Sequence, residues 1–428
     1  MRLCFIAIRY DELNEDPDSY LGIARNLISW RGYSTPGTET PTAFRPPLYP
    51  ILIAPISAEN AAWARGTLNI LAVVCASIFI WKSAISLGLS RSAQILAILV
   101  YGFDPLLVRY SSLSMTESVC SLMSAMLLWR LVQQEPPDQS RNLKTSCWKT
   151  PLLTGIVFGL CVLTRPTFWA FGGLFFLWSL FYLKFQKGAT TSQLLRRFAL
   201  AGLGVSIVVG PWLVRNCIVF HSPILMTSHG GYTVLLGNNE AFYAEVVEQP
   251  WGTVWDGSKG PGQGVWAHKV NQKLDQLELF SEVERDRWMA NQARETIRNN
   301  PTLFLKACWL RFIRFWNIAP SGPAAENIPV ALLRLVSLYY IVLWGFVAVG
   351  MARIVRFNFA QRMRWIPVIL LVIAFTSVHL IYWSNVRMRA PIVPALSLIA
   401  AAAISRNRAT HQQQLNDKID IIGTNDTP

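Results

Sequence analysis

Residues 16–50 read DPDSYLGIARNLISWRGYSTPGTETPTAFRPPLYP and come just before the first apolar stretch that is long enough to cross a membrane. This segment contains two carboxylates, Asp16 and Asp18, and an arginine, Arg45, that directly precedes a Pro-Pro pair. Its prolines favour an extended chain with turns from residue 33 onward. The segment therefore predicts a polar loop that the apolar remainder of the chain holds at one face of a membrane.

The composition of the 428 residues is that of a membrane protein. Hydrophobic residues make up 52% of the chain and charged residues 15%, whereas soluble domains carry about 25% charged residues. Apolar runs of about 18 residues recur, and in lipid such runs must be helices because no water satisfies their backbone. We expect an all-α integral membrane protein with about nine visible transmembrane helices. The predicted spans are residues 61–81, 92–108, 118–131, 151–163, 168–183, 198–214, 330–352, 365–383 and 391–404.

The order of apolar and polar segments predicts four regions. Residues 1–8 are apolar but too short to span a membrane or to serve as a signal peptide. We therefore expect them to be the end of a truncated first helix. The predicted regions are an N-terminal transmembrane module at 1–214 with its first outer loop at 11–60, an extracytoplasmic region of loops and helices at 215–329 with an interfacial helix at 303–316, C-terminal transmembrane helices at 330–404, and a disordered cytoplasmic tail at 405–428.

The net charge of +14 indicates the orientation of the chain rather than a nucleic-acid partner. Lys and Arg collect in short loops at 184–197, 353–364 and 406–408. Because short cytoplasmic loops carry an excess of basic residues, these loops are predicted to be cytoplasmic. The polar segment 16–50 and the region 215–329 then face outward.

Ionisable residues gather at the predicted outer ends of the spans and leave the middles of the spans nearly uncharged. A transporter more often carries charges or broken helices near the membrane midplane. The distribution therefore favours a reaction at the outer membrane–water boundary, although each arginine taken alone is explained by snorkelling or by a lipid phosphate. The residues are Arg65, Asp104, Arg109, Glu117, Arg165, Arg215, Arg334, His379, Arg387 and Arg389.

The opening segment contains residue types suited to group transfer. Asp16 or Asp18 can act as a general base, and Arg45 can hold a phosphate leaving group through two hydrogen bonds. The structural alternatives are that Asp18 or Ser19 caps an amphipathic helix predicted over residues 21–28, and that Asp16 is a solvated loop charge. A divalent metal at the two aspartates is compatible with this pattern but is not required.

Several other classes of site have no sequence signal. The seven cysteines show no CxxC or Cys/His metal spacing. His229 lacks a nearby Ser and Asp partner that would indicate a hydrolase triad. No phosphate-binding glycine motif opens a helix, so the sequence does not predict a nucleotide-sugar donor.

Short motifs along nearly the whole chain resemble the polytopic glycosyltransferases of the GT-C fold. The resemblance is to the bacterial branch related to the dolichyl-phosphate-mannose protein mannosyltransferases and to the aminoarabinose lipid A transferase. The motifs are DPDSYLGIA at 16–24, RPPLYP at 45–50, MTE at 115–117, GLCVLTRP at 159–166, PWLVRN at 211–216, GGYTVLLGN at 230–238, RFIRFW at 311–316 and RMRAPIVP at 387–394.

This resemblance implies a mannosyltransferase-like enzyme of the cell envelope in the bacterial inner membrane. It implies a polyprenyl-phosphate-linked sugar as donor, an acceptor that is a lipid, glycan or protein, transfer on the extracytoplasmic face, and inversion at the anomeric carbon. It assigns the essential carboxylate to Asp16 or Asp18 and the donor phosphate to Arg45 with Arg387 or Arg389. The predicted substrate-binding residues are Tyr20, Arg45, Glu117, Arg165, Arg387 and Arg389.

A second hypothesis is a membrane protein without enzymatic activity. It would be a transporter of lipid-linked glycans or a degenerate scaffold of the same fold. It predicts lipid movement or partner binding without glycosyl transfer. Both hypotheses involve membrane lipids as partners.

Overall fold

The computed structural model of the protein describes residues 1–133, 149–185, 191–320, 325 and 328–405. Helices dominate these residues, whose β pairing is confined to one isolated bridge between Ser34 and Pro41. The predicted basic loop at 406–408, the tail beyond Ser405 and part of the basic loop at 184–197 lie outside the described residues.

The helices follow one another along the whole described chain. A 3-10 turn at Val386–Ile392 precedes the last helix directly. The helices are α1 (Arg2–Ile8), α2 (Tyr20–Ile28), α3 (Leu48–Ile53), α4 (Ala62–Ser86), α5 (Arg91–Phe103), α6 (Pro105–Tyr110), α7 (Glu117–Val132), α8 (Lys149–Thr164), α9 (Phe168–Phe185), α10 (Thr191–Phe220), α11 (Gly230–Gly237), α12 (Glu240–Phe242), α13 (Gly262–Gln276), α14 (Glu282–Asn299), α15 (Pro301–Trp316), α16 (Val330–Arg356), α17 (Phe359–Ile381) and α18 (Val393–Ala402).

The helices agree with the prediction of an all-α integral membrane protein, which is confirmed. Among the described residues, α4, α10, α16 and α17 are long and apolar enough to cross a membrane, and α5, α8 and α9 are shorter apolar helices. Predicted span 92–108 is not one helix, because α5 ends at Phe103 and α6 begins at Pro105. Proline cannot donate the helical hydrogen bond, and the Asp104 side chain accepts one from the Leu107 N–H at 3.0 Å instead.

Small residues allow the helices of the bundle to pack closely. A Cβ atom added at Gly155 of α8 would lie 1.9 Å from the carbonyl oxygen of Ala201 in α10. Helix α18 lies inside the bundle, and all 10 of its residues are buried. Its apolar residues are surrounded by protein rather than by lipid, which explains how so short a helix is stable at this position.

The region from α11 to α15 has a hydrophobic core of its own, which is rich in aromatic residues. Phe242, Trp255 and Trp266 are buried in it. Helix α15, which corresponds to the predicted interfacial helix, exposes Trp309 but buries Arg311. The guanidinium of Arg311 donates to the carbonyl oxygens at the ends of α11 and α17, and this ties the region to the bundle.

Candidate active site

The opening loop turns sharply before α2, and this turn separates the two aspartates. Ser19, directly before the helix, has a φ of 65° and makes no side-chain capping bond. Asp16 instead accepts hydrogen bonds from the N–H groups of Leu21 at 3.0 Å and Gly22 at 2.7 Å. Ser19 occupies the predicted N-cap position, but Asp16, rather than Ser19 or Asp18, accepts the free N–H groups of the first turn.

Asp18 is the centre of an ion-pair arrangement. Its Oδ1 accepts a hydrogen bond from Arg45 Nη2 at 3.1 Å, and its Oδ2 accepts one from Arg387 Nη2. Its side chain is 16% exposed. Burial acts to raise the pKa of Asp18, but Arg387 and Arg45 outweigh burial and lower it below the usual value. Asp18 is therefore ionised at neutral pH.

Glu117 lies beside this pair as the first residue of α7. Its side chain is fully buried, and its Oε1 accepts hydrogen bonds from Arg165 Nη2 at 2.7 Å and from Arg387 Nε. Its Oε2 has no hydrogen-bond partner among the described residues. Arg387 thus bridges Asp18 and Glu117 and joins them into one network.

We call Asp18, Arg45, Glu117, Arg165 and Arg387 the ion-pair cluster. Three guanidinium groups and two carboxylates leave it with one net positive charge. Arg45 Nε is buried and, like Glu117 Oε2, has no partner within the described part of the chain. An unsatisfied buried polar group costs about 1–3 kcal/mol. A bound anion could accept a hydrogen bond from Arg45 Nε, and a hydroxyl group on it could donate one to Glu117 Oε2.

Tyr20 and Arg389 occupy different surroundings, although both are predicted substrate-binding residues. The Tyr20 ring lies 5.5 Å from the Arg45 guanidinium, so Tyr20 adjoins the ion-pair cluster. Arg389 is fully buried elsewhere, donates to the carbonyl oxygen of Asn317 at 2.9 Å and lies 4.2 Å from the Tyr340 ring centroid. In a 3-10 turn, side chains two residues apart point in different directions, which explains why Arg387 joins the cluster and Arg389 does not.

No motif in the sequence selects Glu282, a residue that holds the loop beside the cluster. Glu282 begins α14 and accepts hydrogen bonds from Thr42 Oγ1 at 2.5 Å and from the Ala43 N–H at 2.9 Å. The only local signal is its favourable position in the first turn of a helix. Its contact with residues about 240 positions away depends on tertiary packing.

The two aspartates of the opening loop do not fit a divalent cation as they are arranged. Both oxygens of Asp16 accept backbone N–H groups, and both oxygens of Asp18 accept guanidinium N–H groups. No three His, Cys, Asp or Glu side chains come together as a metal site anywhere in the described residues. A dication at Asp18 would also lie against two arginines, which electrostatic repulsion opposes.

Comparisons with known proteins identify the fold. No protein-family model matches the chain, and no curated protein matches it. Among solved structures, the chain is similar to the oligosaccharyltransferase AglB of Archaeoglobus fulgidus, solved with an inhibitory peptide and a dolichol-phosphate, at a TM-score of 0.50 and 15% identity. That match covers 94% of this chain and 50% of the other. The chain has the GT-C fold.

Further matches have lower scores. The apo form of the Archaeoglobus fulgidus oligosaccharyltransferase matches at a TM-score of 0.49 with 16% identity, over 94% of this chain and 50% of that one. ArnT of Cupriavidus metallidurans, bound to undecaprenyl phosphate, matches at a TM-score of 0.40 with 12% identity, over 95% of this chain and 76% of that one. This chain spans about half the length of the oligosaccharyltransferase. The GT-C fold predicted from the sequence motifs is confirmed.

Proposed function

We propose that this GT-C chain is a membrane glycosyltransferase that takes its sugar from a polyprenyl-phosphate donor. The ion-pair cluster is the observation that carries the proposal. It brings two carboxylates and three guanidinium groups together at the ends of helices, where a lipid-linked substrate and a water-soluble or lipid acceptor can meet. The oligosaccharyltransferase of the same fold was solved with a dolichol-phosphate, which supports a lipid phosphate as the ligand.

The charge of the cluster suits the phosphate of such a donor. A sugar linked to polyprenyl phosphate is a phosphodiester with one negative charge, which the one net positive charge of the cluster balances. Guanidinium groups match phosphate oxygens with paired hydrogen bonds. Arg45 and Arg387 already converge on the oxygens of Asp18, so a phosphate beside Asp18 would meet both.

The chemical step assigns roles to Asp18, Arg45 and Arg387. The acceptor oxygen or nitrogen attacks the anomeric carbon and forms the new bond, and its proton passes to the Asp18 carboxylate. The bond between the anomeric carbon and the phosphate oxygen breaks, and its electron pair remains on that oxygen. Arg45 and Arg387 stabilise the phosphate dianion that leaves. Attack opposite the leaving group inverts the anomeric carbon.

Asp18 is a better candidate for the base than Asp16. Both oxygens of Asp16 are engaged by the backbone of α2, whereas the partners of Asp18 are the groups that would bind the donor phosphate. When the donor phosphate also accepts hydrogen bonds from Arg45 and Arg387, the hydrogen bonds from these residues to Asp18 weaken. The carboxylate is then available to the acceptor.

The clustering of basic residues in the predicted cytoplasmic loops supports a site on the extracytoplasmic face of a bacterial inner membrane. The acceptor in this proposal is a lipid, a glycan or a protein that reaches that face. The region from α11 to α15 packs beside the opening loop through Glu282, and it would border the acceptor.

The test is transfer of labelled sugar in membranes that contain the protein. The donors are undecaprenyl-phosphate hexoses labelled in the sugar. Asp18→Asn is expected to reduce transfer by about 10²–10⁴-fold through loss of the base. Asp16→Asn is the matched variant, and it is expected to keep most of the activity because its oxygen can still accept one of the two N–H groups and Asp18 keeps both arginines.

Two results would contradict the proposal. Equal transfer by Asp18→Asn and the wild type would remove Asp18 from the reaction. Movement of lipid-linked sugar across the membrane without transfer to any acceptor would favour the non-enzymatic alternative.

A further inference from the structure

Three aromatic rings stand next to the ion-pair cluster on the side of Arg45. The Phe44 ring centroid lies 5.1 Å from that of His229 and 6.1 Å from that of Tyr232. The Arg45 guanidinium lies 5.2 Å from the Phe44 ring centroid. We call Phe44, His229 and Tyr232 the aromatic wall; each of them is partly buried.

Glu282 joins the two segments that carry this wall. Its carboxylate accepts hydrogen bonds from Thr42 Oγ1 and the Ala43 N–H, just before Phe44. It also accepts one from Ser228 Oγ at 2.6 Å, directly before His229. One carboxylate of α14 therefore holds both segments at the spacing that brings their rings together.

Asp286 fixes the third ring from the same helix. It lies one turn after Glu282, so the two carboxylates are on one face of α14. Asp286 Oδ1 accepts hydrogen bonds from the N–H groups of Gly231 at 2.6 Å and Tyr232 at 3.3 Å. Two partly buried carboxylates of α14 thus hold the segments that carry the aromatic wall.

His229 supplies the wall with an unused polar atom. Its Nδ1 is buried and has no hydrogen-bond partner in the residues that the structure describes. Burial, and then the nearby charge of Arg45, lowers the pKa of His229 to about 4. At neutral pH the ring is uncharged, so it suits a hydroxyl group rather than a phosphate.

We propose that the aromatic wall is the subsite for the sugar ring of the donor. The inference rests on the proposed function, in which Arg45 contacts the donor phosphate. The anomeric carbon is bonded to an oxygen of the same phosphate that Arg45 would contact. The sugar ring therefore lies beside that phosphate, where the Phe44 ring adjoins Arg45. The C–H faces of a pyranose carry partial positive charge and pack on the negative faces of aromatic rings. A sugar hydroxyl would donate to His229 Nδ1.

The experiment compares binding of two lipids to the purified protein by calorimetric titration. One lipid is sugar-free undecaprenyl phosphate, supplied as its methyl ester so that it carries the same single negative charge as the donor, and the other is undecaprenyl phosphate that carries glucose, galactose or mannose. The ratio of the two dissociation constants measures what the sugar contributes. We expect the wild type to bind at least one sugar-bearing lipid about tenfold more tightly than the sugar-free lipid, as one good aromatic contact supplies.

Tyr232 is the variant position because its ring does not contact Arg45 directly. Tyr232→Ala is expected to bring the ratio close to one and to leave the dissociation constant of undecaprenyl phosphate unchanged. Tyr232→Phe keeps the ring and should keep the ratio. His229→Phe keeps a ring without Nδ1 and should lower the ratio. The control is Trp251→Ala, which removes an exposed aromatic ring elsewhere and should leave both constants unchanged.

Every outcome separates the sugar subsite from the phosphate site. A wild-type ratio of one for all three hexoses would overturn the inference, and so would a ratio that Tyr232→Ala does not change. Equal weakening of both lipids by Tyr232→Ala would mean that the ring only supports the fold, and would also overturn it. Failure of Arg387→Gln to weaken sugar-free undecaprenyl phosphate would contradict the proposed function itself, whatever the ratio.

Discussion

Replacement of Arg387 by glutamine tests the ion-pair cluster most directly. Arg387 is the residue that bridges the two carboxylates, through Nη2 to Asp18 and through Nε to Glu117, and its side chain is 16% exposed. Arg387→Gln removes both ion pairs and takes the cluster from one net positive charge to none. Asp18 keeps Arg45 as its partner, and Glu117 keeps Arg165.

The loss of Arg387 changes both the affinity for the donor phosphate and the pKa of Asp18. A hydrogen bond to a charged group contributes about 1.5–3 kcal/mol, so the donor phosphate should bind about 10–150-fold more weakly. An arginine next to an aspartate lowers its pKa by about 1–3 units. Burial acts to raise the pKa of Asp18, and Arg387 is the strongest of the cations that oppose it. The pKa of Asp18 should therefore rise in Arg387→Gln.

The sign of the pH effect follows from the lowered pKa of Asp18 in the folded protein. Its ion pairs contribute stability above the unfolded-state pKa of about 3.9, and this stability is lost as the pH falls through the lower folded-state value. In Arg387→Gln the same loss should begin at higher pH. The acid limb of the transfer rate should therefore move to higher pH.

The assay combines binding and rates. Undecaprenyl phosphate is titrated at pH 7.5, and the transfer rate is measured from pH 3 to 8, a range that extends below the usual carboxyl pKa of about 3.9. Arg387→Lys keeps the charge but not the two-point contact, so it should give intermediate binding. Arg387→Gln should cost less stability than the about 3 kcal/mol lost when a buried charge is left unpaired, because Asp18 keeps Arg45 and Glu117 keeps Arg165. Unchanged binding together with an unchanged acid limb in Arg387→Gln would refute the reasoning.

Three further predictions concern the supports of the site. Asp16→Ala should reduce stability by about 1 kcal/mol and Asp16→Asn by less, because alanine removes both hydrogen bonds that Asp16 accepts from α2 and asparagine can keep one; thermal unfolding in detergent measures this. Glu282→Gln should raise the KM for the donor more than it lowers kcat, because the loop that carries Arg45 loses its hydrogen bonds to a carboxylate. A fall in kcat with an unchanged KM would contradict this. Gly155→Ala should destabilise the packing of α8 and α10 by about 1–3 kcal/mol, because its Cβ would meet a backbone oxygen at 1.9 Å, whereas Gly102→Ala, with open space around it, should not.

The general architecture could be predicted because it depends on local properties. Hydrophobic runs must form helices in lipid, and the runs are visible in the sequence. The break near residue 104 was also signalled by Pro105, although the span was predicted to be continuous. The collection of charges at helix ends predicted that a site would lie there, and five of the predicted residues do form one cluster.

The assignments within the site depend on the path of the chain and on packing. The sequence leaves open which of Asp16 and Asp18 is the base. The turn at residues 16–19, closed by a hydrogen bond from the Ser19 N–H to the Asp16 carbonyl oxygen at 3.2 Å, lies between the two side chains. Asp16 binds the first turn of α2 and Asp18 binds the arginines.

The sequence by itself determined an all-helical membrane protein with polar groups at the ends of its helices, because apolar length and backbone hydrogen bonding are local requirements. Only the tertiary structure decided which of these groups meet. Arg387 binds an aspartate 369 residues away, and Glu282 holds a loop 240 residues away. Such contacts are set by the packing of whole helices, and no local periodicity records them.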